Sequence, residues 1–190
     1  GVRPLVNAGH AVLVENGAGA AVGYADTAYR AAGATLTDAA GVWAAELVVK
    51  VKEPQPDEVT RLHAGQVLFC YLHLAAAPLL ARELMARGVT AIAYETVRDA
   101  GGRLPLLAPM SDIAGRLAPQ MGALGLHKMH GGSGKLIGGL PGVAPAHMVV
   151  LGAGVVGLGA ARVAVGLGAR VTLLDRQADK LAHAENLFGA

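Results

Sequence analysis

A chain of 190 residues with 53% hydrophobic and 16% charged residues is long enough to bury a core and too apolar for extensive disorder. A net charge of +2 without a Lys/Arg cluster excludes a polyanion-binding surface. An aromatic share of 4% excludes a nucleic-acid platform built on stacking. The single cysteine, Cys70, excludes an intrachain disulfide framework and a multi-cysteine metal site, and its apolar run (67–72) reads as that of a buried small hydrophobe. No apolar run approaches the ~18 residues of a membrane span, and the start lacks a signal-peptide pattern. A soluble cytoplasmic protein is expected. The opening at Gly1, in what reads as a helix tail, and the close at Ala190 both suggest cut ends.

In chain order, strand-length apolar runs fall at 11–15, 34–37, 47–51, 66–72, 89–94, 148–151 and 170–174. Helical patterns lie between them at 25–32, 57–62, 78–87, 111–129, 156–167 and 178–187. Gly33, Gly88 and Gly168 follow three of these helices, where a left-handed stop is needed. Strict alternation with Val/Leu-rich strands predicts parallel sheet in an α/β architecture. The long helix after Met110 separates a roughly five-stranded unit from a fresh strand–turn–helix–strand. The expected division is 1–108 and 109–190, the second domain opening on that linking helix.

Gly152-Ala153-Gly154-Val155-Val156-Gly157 places G-x-G-x-x-G between a strand and a helix. Gly152 permits the tight turn, Gly154 lets backbone approach a pyrophosphate, and Gly157 lets helix and strand pack closely. The helix N-terminus offers unsatisfied N–H groups to phosphate. Asp175 ends the next strand 18 residues beyond Gly157, the spacing of a carboxylate that binds a ribose 2′-OH. An acid there favours NAD over NADP, although Arg176 beside it is able to meet a 2′-phosphate. Three look-alikes fail their templates. In 17–23 the third glycine arrives one residue late, which makes this a structural turn. In 131–136 a P-loop would need a further glycine and a Ser/Thr after Lys135. His127-x-x-His130 has metal-ligand spacing without a third ligand.

Three strand ends of the first unit carry polar groups: Lys52 before Pro54, His73 after an apolar run, and Glu95 after Tyr94. Lys52 alone also fits a solvated strand-end lysine, and His73 alone a satisfied core histidine. Together, at the edge where open α/β sheets bind ligands, they suit a cleft that holds and protonates a small anion.

The segments Val49-Lys50-Val51-Lys52-Glu53-Pro54, Leu72-His73-Leu74-Ala75, Ala93-Tyr94-Glu95-Thr96-Val97, 105–111 (Pro-Leu-Leu-Ala-Pro-Met-Ser) and the Gly152 turn, in this order, closely resemble bacterial alanine dehydrogenases along essentially the whole chain. The resemblance implies a Rossmann-like parallel-sheet substrate domain followed by the first half of a Rossmann dinucleotide-binding domain. It implies reversible NAD-dependent oxidative deamination of L-alanine to pyruvate and ammonia, by a cytoplasmic homo-oligomer, a hexamer. By the same resemblance Lys52 binds the substrate carboxylate and carbonyl oxygen, His73 is the general acid/base, and Glu95 is a pocket glutamate on the substrate-binding side. Ser111 would contact the pyrophosphate with Gly152, Gly154, Val155 and Gly157; Asp175 would take the ribose and Lys180 a nearby part of the cofactor. The family's substrate-gripping arginine is expected upstream of Gly1, and its catalytic aspartate beyond Ala190, so the chain alone is expected to be inactive. Two alternatives stand beside this reading: the NAD(H)-binding part of a proton-translocating transhydrogenase, whose residues typically differ at Lys52-Glu53 and His73, and a non-catalytic nucleotide-binding remnant.

Overall fold

The computed structural model describes residues 1–189 and divides into two compact units, Gly1–Val97 and a second beginning at Arg98. The first opens with α1 (Val2–Asn7), β1 (Leu13–Glu15), α2 (Asp26–Ala31) and β2 (Thr35–Thr37). β1 and β2 pair in parallel, Leu13 opposite Thr35. A short helix absent from the sequence-based expectation follows, α3 (Ala39–Trp43). Asp38 caps it by accepting the Gly41 N–H at 2.9 Å, and five residues leave too little periodicity to read. α3 returns against β1 and β2, so β3 (Leu47–Val49) starts a sheet of its own. The five strands expected in one unit are therefore present as two sheets, β1-β2 and β3-β4-β5.

The second sheet contains β3, β4 (Val67–Cys70) and β5 (Thr90–Ala93), all parallel, crossing over through α4 (Pro56–Val59) and α5 (Pro78–Ala86). Its core gathers Trp43, Val48, Leu62, Leu68, Cys70, Leu72 and Leu84. Burial pushes the Cys70 thiol up to about 11, so it stays protonated and serves as a packing group. One polar side chain is buried among them. Gln66 donates to the Trp43 and Ala45 carbonyls, both at 2.8 Å, and so ties the start of β4 to the end of α3. Lys50 pairs with Glu58, whose carboxylate also accepts the Gln55 N–H at the start of α4, and its Nζ lies 5.4 Å from the Trp43 ring centroid. Lys50 thus braces the unit, whereas Lys52, two residues on, is exposed.

The second unit holds α6 (Ala108–Leu126), β6 (His147–Leu151), α7 (Val155–Gly166), β7 (Arg170–Leu174) and α8 (Ala178–Phe188). β6 and β7 are parallel, in register from His147–Arg170 to Leu151–Leu174. α6 starts three residues before the predicted helix, with Pro109 tolerated in its first turn, and ends at His127, where the backbone turns extended. α6 crosses α7 where both carry glycine: a Cβ on Gly115 would meet the Val156 carbonyl oxygen, and one on Gly159 would touch Gly115.

Candidate functional site

Among the described residues each unit carries a strand-end cleft. In the second unit a cleft of about 510 Å³ is lined by Leu151, Gly152, Leu174, Asp175, Arg176, Gln177 and Lys180. Gly152 has φ +102°, a region closed to most L side chains. Gly154 caps α7 in extended backbone, and nothing lies within 4 Å of where its Cβ would stand, so the space before the helix N-terminus is open. Gly157 is buried, and a Cβ there would run into the Gly152 carbonyl oxygen. The first turn of α7 carries no acid to repel an anion, and Val155 is its first residue.

Asp175 does more than face the cleft. Oδ2 accepts the Ala153 N–H at 2.7 Å and Oδ1 the Gln177 N–H at 2.9 Å. These backbone donors, Gln177 first and Ala153 next, with help from Lys180, outweigh the cost of burial and hold its carboxyl below the usual carboxylate range. Each oxygen keeps a second lone pair, so the carboxylate pins the glycine turn and still has room to accept hydroxyl donors. The residues fit the adenosine half of a dinucleotide. Ser111 sits one turn before Gly115 on α6, close to where α6 crosses the first turn of α7, but outside the residues lining this cleft.

In the first unit a cleft of about 380 Å³ is lined by His73, Leu74, Ala75, Ala76, Ala93, Glu95 and Thr96. β4 pairs with β3 on one side and β5 on the other; past β3 the ladder slips by one residue, Tyr71 N–H reaching Val51 O at 3.1 Å. Lys52, His73 and Glu95 each follow the C-terminal end of one of these three adjacent parallel strands. The three polar strand ends are thus brought to one edge of one sheet, with Lys52 beside rather than within the cleft.

His73 has φ +50°, the one positive value outside glycine among the described residues. For an L residue that costs about 1–2 kcal/mol. The Glu95 carboxylate accepts the Leu72 N–H at 3.2 and 3.3 Å and the His73 N–H at 2.7 Å. Burial alone would raise the carboxyl, but the N–H groups of Glu95 itself, His73 and Leu72 together outweigh it and hold it below the ordinary value. The His73 ring stacks nearly parallel to Tyr71, centroids 6.0 Å apart, and Tyr94 meets Tyr71 edge-on at 5.0 Å. Sequence reasoning passed over this brace. Its signal was the two-residue spacing of Phe69, Tyr71 and His73, which places them on one strand face.

Parallel strands joined by crossover helices, with a strand–glycine turn–helix and a strand-end carboxylate, place the chain among Rossmann-like α/β proteins. The chain belongs to the alanine dehydrogenase/PNT family: residues 1–114 match the N-terminal domain of that family and residues 118–190 its C-terminal domain. It is 53% identical over 190 residues to the alanine dehydrogenase of Bacillus subtilis, covering 100% of this chain and 50% of that protein. It is 55% identical to that of Halomonas elongata over 183 residues, 95% of this chain and 49% of that protein. A solved L-alanine dehydrogenase superposes with a TM-score of 0.89 at 53% identity, over 100% of this chain and 53% of the other. A transhydrogenase from Sinorhizobium meliloti superposes at 0.81 with 27% identity, over 100% of this chain and 56% of the other. The chain spans about half the length of the curated relatives it matches.

Proposed function

We propose that this chain, within a polypeptide of the relatives' length (called the full-length protein below), takes part in reversible NAD-dependent oxidative deamination of L-alanine to pyruvate and ammonia. The observation that carries the proposal is the alignment of Lys52, His73 and Glu95 on one sheet edge, in a chain that also carries the Gly152–Asp175 half-site. Residues 1–108 then serve the substrate and 109–190 the cofactor. The α7 N-terminus, with Gly152, Gly154, Val155 and Gly157, receives the pyrophosphate, and Ser111 contacts it from α6. Asp175 accepts the ribose 2′-OH through its remaining lone pairs, with Lys180 alongside. When bound, the nicotinamide supplies the acceptor for the hydride of alanine Cα. Lys52 Nζ holds the substrate carboxylate and stabilises the charge that develops on oxygen. A His73 ring nitrogen takes a proton from the water that adds to the resulting iminium carbon, returns it to the nitrogen of the carbinolamine, and takes the hydroxyl proton as the carbonyl forms and ammonia leaves. The family resemblance supports a cytoplasmic homo-oligomer, a hexamer.

The likeness to transhydrogenase supports a second reading, an NAD(H) domain that exchanges hydride with another dinucleotide. Lys52→Ala in the full-length protein separates the two. Under the first reading alanine turnover is lost while NADH binding, followed by fluorescence, is kept. Loss of both would contradict the placement of Lys52 on the substrate side, and a parent protein without alanine-dependent NAD reduction would favour the second.

A further inference from the structure

We propose that Glu95 is a positioning residue for His73. Its carboxylate, seated on the N–H groups of Leu72 and His73, holds the left-handed turn that presents the imidazole to the cleft. The inference rests on the reading of His73 as the group that moves protons. Along β4 the N–H groups alternate between neighbours, and Tyr71 donates to Val51 on the β3 side. The Leu72 N–H therefore faces β5, which has ended at Ala93, and no strand carbonyl is there to receive it. The chain instead turns into a single 3-10 turn, Tyr94–Thr96, which delivers the Glu95 side chain to that place. Leu72 is fully buried, so its N–H has no recourse to water. The His73 N–H, in the very next peptide, meets the same carboxylate, and there the chain turns away at positive φ. Two successive backbone N–H groups converging on one anion form a nest, and here the anion is a side chain from 22 residues away. Without it a buried donor is left unpaired and the strained turn loses what offsets it. The imidazole, stacked on Tyr71, is then free to leave its position.

The test uses the full-length protein with Glu95→Gln, Glu95→Ala and His73→Gln, measuring kcat, KM for L-alanine, NADH affinity and thermal midpoint for each. In Glu95→Ala kcat is expected to fall on the order of 100-fold, the cost of displacing a reacting group by about an ångström. KM for alanine and NADH affinity are expected to stay within about 3-fold, because the Glu95 carboxylate is taken up by the Leu72 and His73 N–H groups. Glu95→Gln, nearly isosteric and keeping one acceptor oxygen, recovers part of the loss. The inference is overturned if kcat is unchanged, if the loss appears in KM for alanine, or if only the thermal midpoint drops. Should Glu95→Ala not fold, Glu95→Gln decides by the same split. A His73→Gln protein with full turnover overturns the reading of His73 itself and this inference with it. A loss confined to His73→Gln overturns only the role of Glu95.

Discussion

The two clefts solve one problem in different ways. In each, a strand ends in a left-handed residue, and a carboxylate from the end of the neighbouring strand accepts a backbone N–H of that turn: Asp175 from Ala153, Glu95 from Leu72 and His73. At the Gly152 turn the left-handed residue is glycine, which adopts φ +102° at no steric cost, so one N–H bond to Asp175 suffices. Past the end of β4 the turning residue carries a side chain. Histidine is held at φ +50° by two N–H bonds and an aromatic stack. On the proposed reading, the turn that offers only backbone is self-sufficient, and the turn that offers an imidazole is held from a distance.

The sharpest way to break this contrast is to make the first turn like the second. In the full-length protein His73→Gly removes the ring proposed to move protons, and turnover is expected to fall by roughly 10²–10⁴-fold, the usual contribution of a general acid/base. The thermal midpoint should hold or rise, since glycine relieves the strain. A fall in both would mean that His73 is a packing residue. Next in size is Asp175→Ala. Losing a charged acceptor costs about 1–3 kcal/mol. NAD use should weaken, and relative use of NADP should improve with Arg176 free to meet the phosphate. If the NAD/NADP ratio of kcat/KM stays put while both weaken, Asp175 acts only on the turn, through Ala153. Gly152→Ala makes the second turn like the first without a second brace. Strain of about 1–2 kcal/mol should appear as a loss of roughly 5–30-fold in NADH affinity, with alanine KM unmoved.

The smallest effect is in pH. The folded Glu95 carboxyl lies below its ordinary value, so its contribution to stability is complete above the unfolded value of about 4.3 and is lost as pH falls through the lower folded value. The thermal midpoints of the parent and Glu95→Gln should therefore differ near neutrality and converge in acid. Asp175, shifted in the same direction, is common to both proteins and cancels. A gap independent of pH would mean that the charge of Glu95 contributes nothing to the turn.

The same contrast explains what could be read from the amino acids alone. The seven strands among the described residues were legible, because apolar runs bounded by glycine and proline are local signals, and Arg170–Leu174 matched residue for residue. So were the Gly152 turn and Asp175, whose spacing within one strand–helix–strand is set by geometry. The split of the first five strands into two sheets was not legible, since it depends on α3, a five-residue helix whose only local mark is the Asp38 cap. Nor was the hold of Glu95 on His73. Strand 66–72 read as continuous through Leu72, but the helical turn at Tyr94–Thr96 withdraws the next acceptor and supplies a side chain in its place. Pairing across 22 residues through backbone donors leaves no mark in composition or period.

The measurement that bears most directly on the account is the initial rate of NADH formation from NAD with saturating L-alanine, run on the full-length protein and on the 190-residue chain alone. The full-length protein is expected to reduce NAD in strict dependence on alanine. The 190-residue chain, about half the length of its relatives and with β6 and β7 as the sheet of its second unit among the described residues, is expected to show none, since a Rossmann fold clasps a dinucleotide with two such halves. NAD reduction by the full-length protein that ignores alanine, or turnover by the short chain equal to that of the full-length protein, would contradict the account.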